Sequence, residues 1–354
     1  MDIILRWRRL CLIALCCLEG SGGYAQNIHA WQMQFFSGRF ITHRHHRTAP
    51  ESSHYGVSLD FIKKTTGKKY WQYAHNYPDM GLSATWRTLG NPEVYGQIYS
   101  VVPYLEFSLF RRKTGAFQLK HGTGLAFAAR TYDAAQNPQN RLLSTMLNAT
   151  SMIDAGYRFF VSDEWDLKPG AMIYHYSNGG FRLPNAGINA GAVYLGLTWH
   201  PAGREPERTA FETIRDFKKW RYRLSGAAGF YDFRRENSPS IQVNPQLSGM
   251  VFLQHSTAFR TGIGVEAGRL NRKDVQPAIY MEEEIQFGKI ATRYGFGGYL
   301  RNKPPGQESF YSKIGMAFYP EMENRIPAGI FVGSMLKAHG TRAAHIELMT
   351  GYVF

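Results

Sequence analysis

The sequence predicts an all-β protein, a transmembrane antiparallel β-barrel, on three observations. About sixteen segments of roughly ten residues alternate apolar and polar side chains and are cut by clusters of Gly, Pro, Asn and Asp. No run of about 18 apolar residues occurs, which excludes a helical membrane protein. The final segment alternates up to an aromatic carboxyl terminus, with Phe354, Tyr352, Thr350, Leu348, Ile346 and Ala344 on one face. That ending resembles the insertion signal of bacterial outer-membrane barrels. A soluble sandwich would also alternate, but it has no need of so many aromatic-capped strands.

The amino terminus reads as an export signal over residues 1–25. Arg6, Arg8 and Arg9 precede a short apolar core from Leu10 to Leu18, and Gly23-Tyr24-Ala25 supplies the small residues of a cleavage site. Bulky Leu15 before Cys16 argues against a lipoprotein. The 3 cysteines, Cys11, Cys16 and Cys17, all lie in this segment, so neither a disulfide scaffold nor a cysteine zinc site is expected in the mature chain. Removal of the segment leaves 38 basic and 25 acidic residues, a net charge of +13. Export argues against nucleic acid as the partner of this charge. Small basic clusters at segment ends (Lys63, Lys64, Lys68, Lys69, Arg111, Arg112, Lys113, Lys218 and Lys219) suit phosphate-bearing lipid, or are simply a solvated surface.

Strands are predicted near 30–41, 54–64, 79–89, 95–110, 116–130, 146–161, 165–177 and 187–199. After a charged break they resume at 220–231, 245–256, 258–268, 277–287, 289–300, 308–318, 326–335 and 341–354. The break, residues 201–219, holds a Pro and a Gly and is read as a loop or linker in which 208–219 form a short helix. Residues 328–354 faintly echo 171–197, a hint of duplication. One enlarged barrel of about 14–16 strands is the preferred architecture, with two tandem eight-stranded barrels, 26–200 and 220–354, as the alternative.

Residues 175–189, HYSNGGFRLPNAGIN, carry the chemistry. His175 and Ser177 are two apart on a strand and so project from one face. A serine beside a histidine is the minimum for nucleophilic acyl transfer. Asn178 and the glycines after it can offer an amide and backbone N–H groups to an oxyanion. Parity places Asn189 on the face of Val193, Leu195, Leu197 and Trp199, a bulky apolar set that must look at lipid. If the two strands pair, His175, Ser177 and Asn189 share that outer face, with Ile173 before them. A strand of this length climbs about 30 Å, enough to bring the pair to the outer leaflet.

The string His-x-Ser-Asn followed by Pro-Asn-x-Gly-Ile resembles the outer-membrane lipid A 3-O-deacylases of the PagL type, over residues 26–200 by strand count and specifically over 175–189. The resemblance implies an eight-stranded barrel with a lipid-side site, His175 as general base, Ser177 as nucleophile, and Asn178 with the backbone of Gly180 at the oxyanion. It implies no metal or organic cofactor. The family carries a glutamate fourteen residues after the histidine, where this chain has Asn189. An amide can accept the Nδ1–H bond but cannot stabilise the imidazolium by charge, and Asp154 on the preceding strand is a conceivable substitute acid.

The implied function is removal of an ester-linked 3-hydroxyacyl chain from lipid A in the outer membrane of a Gram-negative bacterium. Its partners are lipopolysaccharide and the bilayer, and a homo-oligomer is left open. The rival reading is a non-catalytic pore or envelope-organising barrel with a degenerate site. Weaker signals are read as structural: His43, His45 and His46 as a solvated loop, Glu282, Glu283 and Glu284 as an inward acidic patch, and His339 and His345 as no second site.

Overall fold

The computed structural model describes residues 29–41, 53–204, 206–232, 241–270, 274–303, 308–340 and 342–354. The export segment and the three histidines at 43–46 lie outside them.

Eight strands close a first barrel: β1 (His29–Phe40), β2 (His54–Lys63), β3 (Asp79–Thr88), β4 (Gln97–Arg112), β5 (Gly115–Ala128), β6 (Leu147–Phe160), β7 (Trp165–Ser177) and β8 (Ile188–Trp199). Each pairs antiparallel with its neighbour in sequence, and β1 pairs with β8 from Trp31–Trp199 to Phe40–Ala190. The remaining strands are β9 (Trp220–Asp232), β10 (Ile241–Gln254), β11 (Phe259–Leu270), β12 (Asp274–Phe287), β13 (Ile290–Tyr299), β14 (Phe310–Phe318), the short β15 (Glu321–Glu323), β16 (Ile326–His339) and β17 (Arg342–Val353). Pairing of β14 with β16 and of β17 with β9 closes eight of them into a second barrel. The preferred single large barrel is therefore corrected to two tandem eight-stranded ones. The sixteen strands were predictable from side-chain alternation. Which of them close on each other is not, because alternation records only which face is wet.

The two echoing segments turn out to be the hairpins that complete each barrel, β7–β8 and β16–β17. Residues 206–219 form no helix. Their backbone donors are spent elsewhere: Thr209 N–H donates to the Thr66 carbonyl and Ile214 N–H to the Tyr70 hydroxyl. The Phe211 ring lies 5.7 Å from that of Tyr70. Those partners belong to the β2–β3 connection, which carries a short helix α1 (Tyr70–Ala74) that the alternation pattern did not reveal.

Outward side chains are apolar and exposed, Val193 at 69% and Leu224 at 61% among them. Inward ones are buried, and many of them are charged. In the first barrel Lys120 reaches Asp60 at 2.5 Å and Asp154 at 3.6 Å, and Lys168 reaches Glu106 at 2.6 Å and Asp154 at 3.1 Å. Arg158 adds Glu106 at 2.9 Å. Above them the Arg87 guanidinium lies 4.2 Å from the Tyr174 ring centre and 4.5 Å from that of Phe36. The second barrel repeats the device: Arg223 meets Glu282, Arg260 and Arg293 meet Glu284, and Lys313 meets Glu266 and Glu347. The inward acidic patch is thus Glu282 and Glu284. A void of about 10 Å³ remains among Arg223, Gln246, Glu266 and Lys313, room for roughly one water. Both lumens are packed with ion pairs.

The chain enters and leaves at one end of the barrels, the proximal end, which carries α1 and the 200–219 linker. The opposite, distal end carries the 129–146 and 178–187 connections. The basic clusters at 63–69, 111–113 and 218–219 all fall at the proximal end, and Lys64 is buried in a 2.7 Å pair with Asp79.

Candidate active site

The site is built at the distal end of the β7–β8 hairpin. Along β7, Asp166, Lys168, Met172, Tyr174 and Tyr176 are buried inside the barrel, so Ile173, His175 and Ser177 face outward. His175 lies directly opposite Asn189 in the antiparallel register. Cross-strand neighbours on one face approach to about 5 Å at Cβ, and here the side chains meet. The Nδ1–H of His175 donates to Asn189 Oδ1 at 2.8 Å, and the Ser177 hydroxyl donates to Nε2 at 3.1 Å.

Ser177 is only 4% exposed. The left-handed residue Gly187 (φ +73°) lets the loop pass close over it. A Cβ there would stand 3.2 Å from the Tyr176 carbonyl and 3.3 Å from His175 Cε1. Asn178 builds the loop: its amide donates to the Arg182 carbonyl at 2.7 Å and to Ser144 Oγ at 3.1 Å, and its Oδ1 accepts from Gly180 N–H at 3.0 Å. Both expected oxyanion donors are therefore engaged in shaping the turn. The N–H that points at the serine belongs to Gly179, 3.3 Å from Oγ. Spacing points to the glycines after Asn178 as donors but not to which one, because a backbone N–H has no side-chain signal; the resemblance implies Gly180, and the turn aims Gly179 instead.

Asp154 is not a substitute acid. It pairs with Met172 across β6 and β7, faces the lumen, and is held by Lys168 and by the Tyr194 hydroxyl at 2.6 Å. His339 and His345 also face inward in the second barrel, the first 3.0 Å from the Tyr299 hydroxyl and the second 3.1 Å from Glu347. Neither reaches the lipid side. Near the site the exposed basic residues include Arg182, Arg130 and Arg141 of the distal connections and Arg39 of β1, which pairs with Gly191. Among the described residues no cluster suited to a metal ion occurs.

A serine hydrogen-bonded to a histidine whose far nitrogen is held by a side-chain oxygen is the arrangement that activates a hydroxyl for acyl transfer. Here it stands on an outward barrel face. Residues 55–198 match the family model of lipid A 3-O-deacylase (PagL). The match runs from β2 through β8, contains the whole site, and bears out the family resemblance of the 175–189 string. The second barrel lies beyond it.

Among solved structures, the outer-membrane enzyme PagL aligns with 47% of this chain and 97% of its own at 20% identity, with a TM-score of 0.33. OccK5 (OpdH) of Pseudomonas aeruginosa aligns over 94% and 99% at 7% identity, with a TM-score of 0.23. Omp33 of Acinetobacter baumannii does so over 93% and 98% at 7%, with a TM-score of 0.19. No curated protein matches the chain.

Proposed function

We propose that this protein is an outer-membrane serine esterase that removes a 3-O-linked hydroxyacyl chain from lipid A. The observation that carries the reading is the continuous hydrogen-bonded series Ser177–His175–Asn189 on the outward face of the PagL-matching barrel, at its distal end. With the proximal end in the periplasm, the distal end meets the outer leaflet. The acyl chains of a lipid there run alongside Ile173 and Val193, both more than half exposed.

In the proposed reaction Ser177 Oγ attacks the ester carbonyl as its proton passes to His175 Nε2. Asn189 Oδ1 fixes the imidazole with its proton on Nδ1, leaving Nε2 free to accept. The Gly179 N–H stabilises the tetrahedral oxyanion, and Asn178 and Gly180 hold the turn that aims it. On collapse the sugar 3-oxygen leaves with the proton from Nε2. Water, deprotonated by the same nitrogen, then hydrolyses the acyl-serine and releases a 3-hydroxy fatty acid. No cofactor enters.

Against the pore reading stand the ion-paired interiors of both barrels. Mass spectrometry of lipid A from Gram-negative cells making the chain tests the proposal. Loss of one hydroxyacyl mass, abolished by Ser177→Ala, is the expected result. An unchanged lipid A, with the protein folded in the outer membrane, overturns it.

A further inference from the structure

The second barrel lies outside the family match, yet it touches the catalytic loop. A Cβ at Gly179 (φ +69°) would stand 2.7 Å from Ile346 Cδ1 and 3.6 Å from Leu336 Cδ1. One at Gly180 (φ +83°) would stand 3.1 Å from the Ala344 carbonyl. Leu336 and Ile346 form a cross-strand pair on the outward face of β16–β17, the hairpin that occupies in the second barrel the place of β7–β8 in the first. This hairpin carries an apolar pair where the other carries His175–Asn189. Both residues are half-buried, whereas Val332 and Leu348, further along the same face, are 53% and 54% exposed. Contact with the loop is what covers them. The barrels also meet lower down, where Met316 Sδ lies 3.9 Å from Thr123 Oγ1 and the His75 and Phe287 rings stack at 4.4 Å.

Resting on the function proposed above, we infer that the second barrel holds the oxyanion loop of the first, with Ile346 as the positioning residue. Two successive left-handed glycines are the most permissive backbone a chain can have. A donor N–H, however, contributes fully only when it is fixed at hydrogen-bond distance from the developing oxyanion. One flank of the turn is tied by Asn178 to Asn185, Ser144 and Arg182. Ile346, Leu336 and the 343–344 backbone back the other, so the second barrel serves the active site of the first without contributing a reacting group.

The test compares Ile346→Ala, Ile346→Val and Leu348→Ala in the full chain with purified lipopolysaccharide as substrate. Two readouts are taken: kcat and KM for hydroxyacyl release, and the rate of tryptic cleavage after Arg182. Ile346→Ala is expected to lower kcat about tenfold with KM little changed, a fraction of the 10²–10³ lost with a whole oxyanion donor. It is also expected to speed cleavage at Arg182 several-fold. Ile346→Val restores both readouts and Leu348→Ala alters neither. A wild-type kcat in Ile346→Ala overturns the inference, and so does a fall in kcat without faster cleavage. If the unmodified protein releases no hydroxyacyl chain, the deacylase reading fails separately, and the proteolysis still decides whether the second barrel holds the loop.

Discussion

Replacing Asn189 by Glu puts a formal charge where the structure holds a neutral amide oxygen 2.8 Å from His175 Nδ1. During attack by Ser177 the imidazole gains a proton, and a carboxylate would stabilise that cation. With charge centres about 4 Å apart and an effective dielectric constant of about 20, the Coulomb gain approaches 4 kcal/mol. Desolvating the half-buried carboxylate takes back part of it, and hydrogen bonds to charged groups contribute a net 1.5–3 kcal/mol or so. At 1.36 kcal/mol per decade this is about a ten- to hundredfold rise in kcat. Space for the extra methylene lies beside Gly191, where a Cβ would meet only Ile41, 3.6 Å away. The assay is the initial rate of 3-hydroxy fatty acid release from purified lipopolysaccharide, with Ser177→Ala as the blank. A folded Asn189→Glu protein no faster than the unmodified one would refute the reasoning, since the amide would then not be what limits proton transfer.

Other consequences are open to direct measurement. Gly187→Val forces a branched side chain into left-handed backbone against Tyr176 and His175. It should abolish hydroxyacyl release while the protein keeps its heat-modifiable band on gels. Lys168→Met leaves Glu106 with Arg158 and Asp154 with Lys120 and Tyr194, so the loss should fall below the roughly 3–5 kcal/mol of a fully unpaired buried charge, to be read as a lower urea midpoint in bilayers. In planar membranes the protein should add no steady conductance, and a nanosiemens step would contradict the filled interiors. His75 is half-buried against Phe287, and its pKa is lowered chiefly by desolvation there, against the raising effect of the Gln286 carbonyl. Because the packed form binds fewer protons, its contribution is complete above the ordinary histidine value of about 6.5 and is withdrawn as pH falls through it. Acid should therefore loosen the proximal contact between the barrels, and His75→Phe should remove that pH dependence; thermal melts at pH 5 and 7.5 decide it.

Alternation made every barrel strand legible, including the parity that turns His175, Ser177 and Asn189 outward, because each segment has one lipid face and one polar face. Closure was not legible: β17 pairs with β9 and not with β1, and outward faces look alike on either partner. The short helix Tyr70–Ala74 escaped because its register is set by tertiary contacts to Phe211 and Phe287 and not by periodicity. Within the site the side-chain relay could be read from spacing. The engagement of Asn178 with Ser144 could not, since thirty-four residues separate partners that meet only when β6 and β7 are zipped.

The join between the barrels bears on assembly. Each barrel seals itself with its own last strand, and each of those strands finishes on outward aromatics, Trp199 in one case and Tyr352 with Phe354 in the other. The linker leaves and re-enters on the same side, so neither seal has to wait for the other or thread past it. Some twenty residues separate the last strand of one cylinder from the first strand of the next, so each can close on its own.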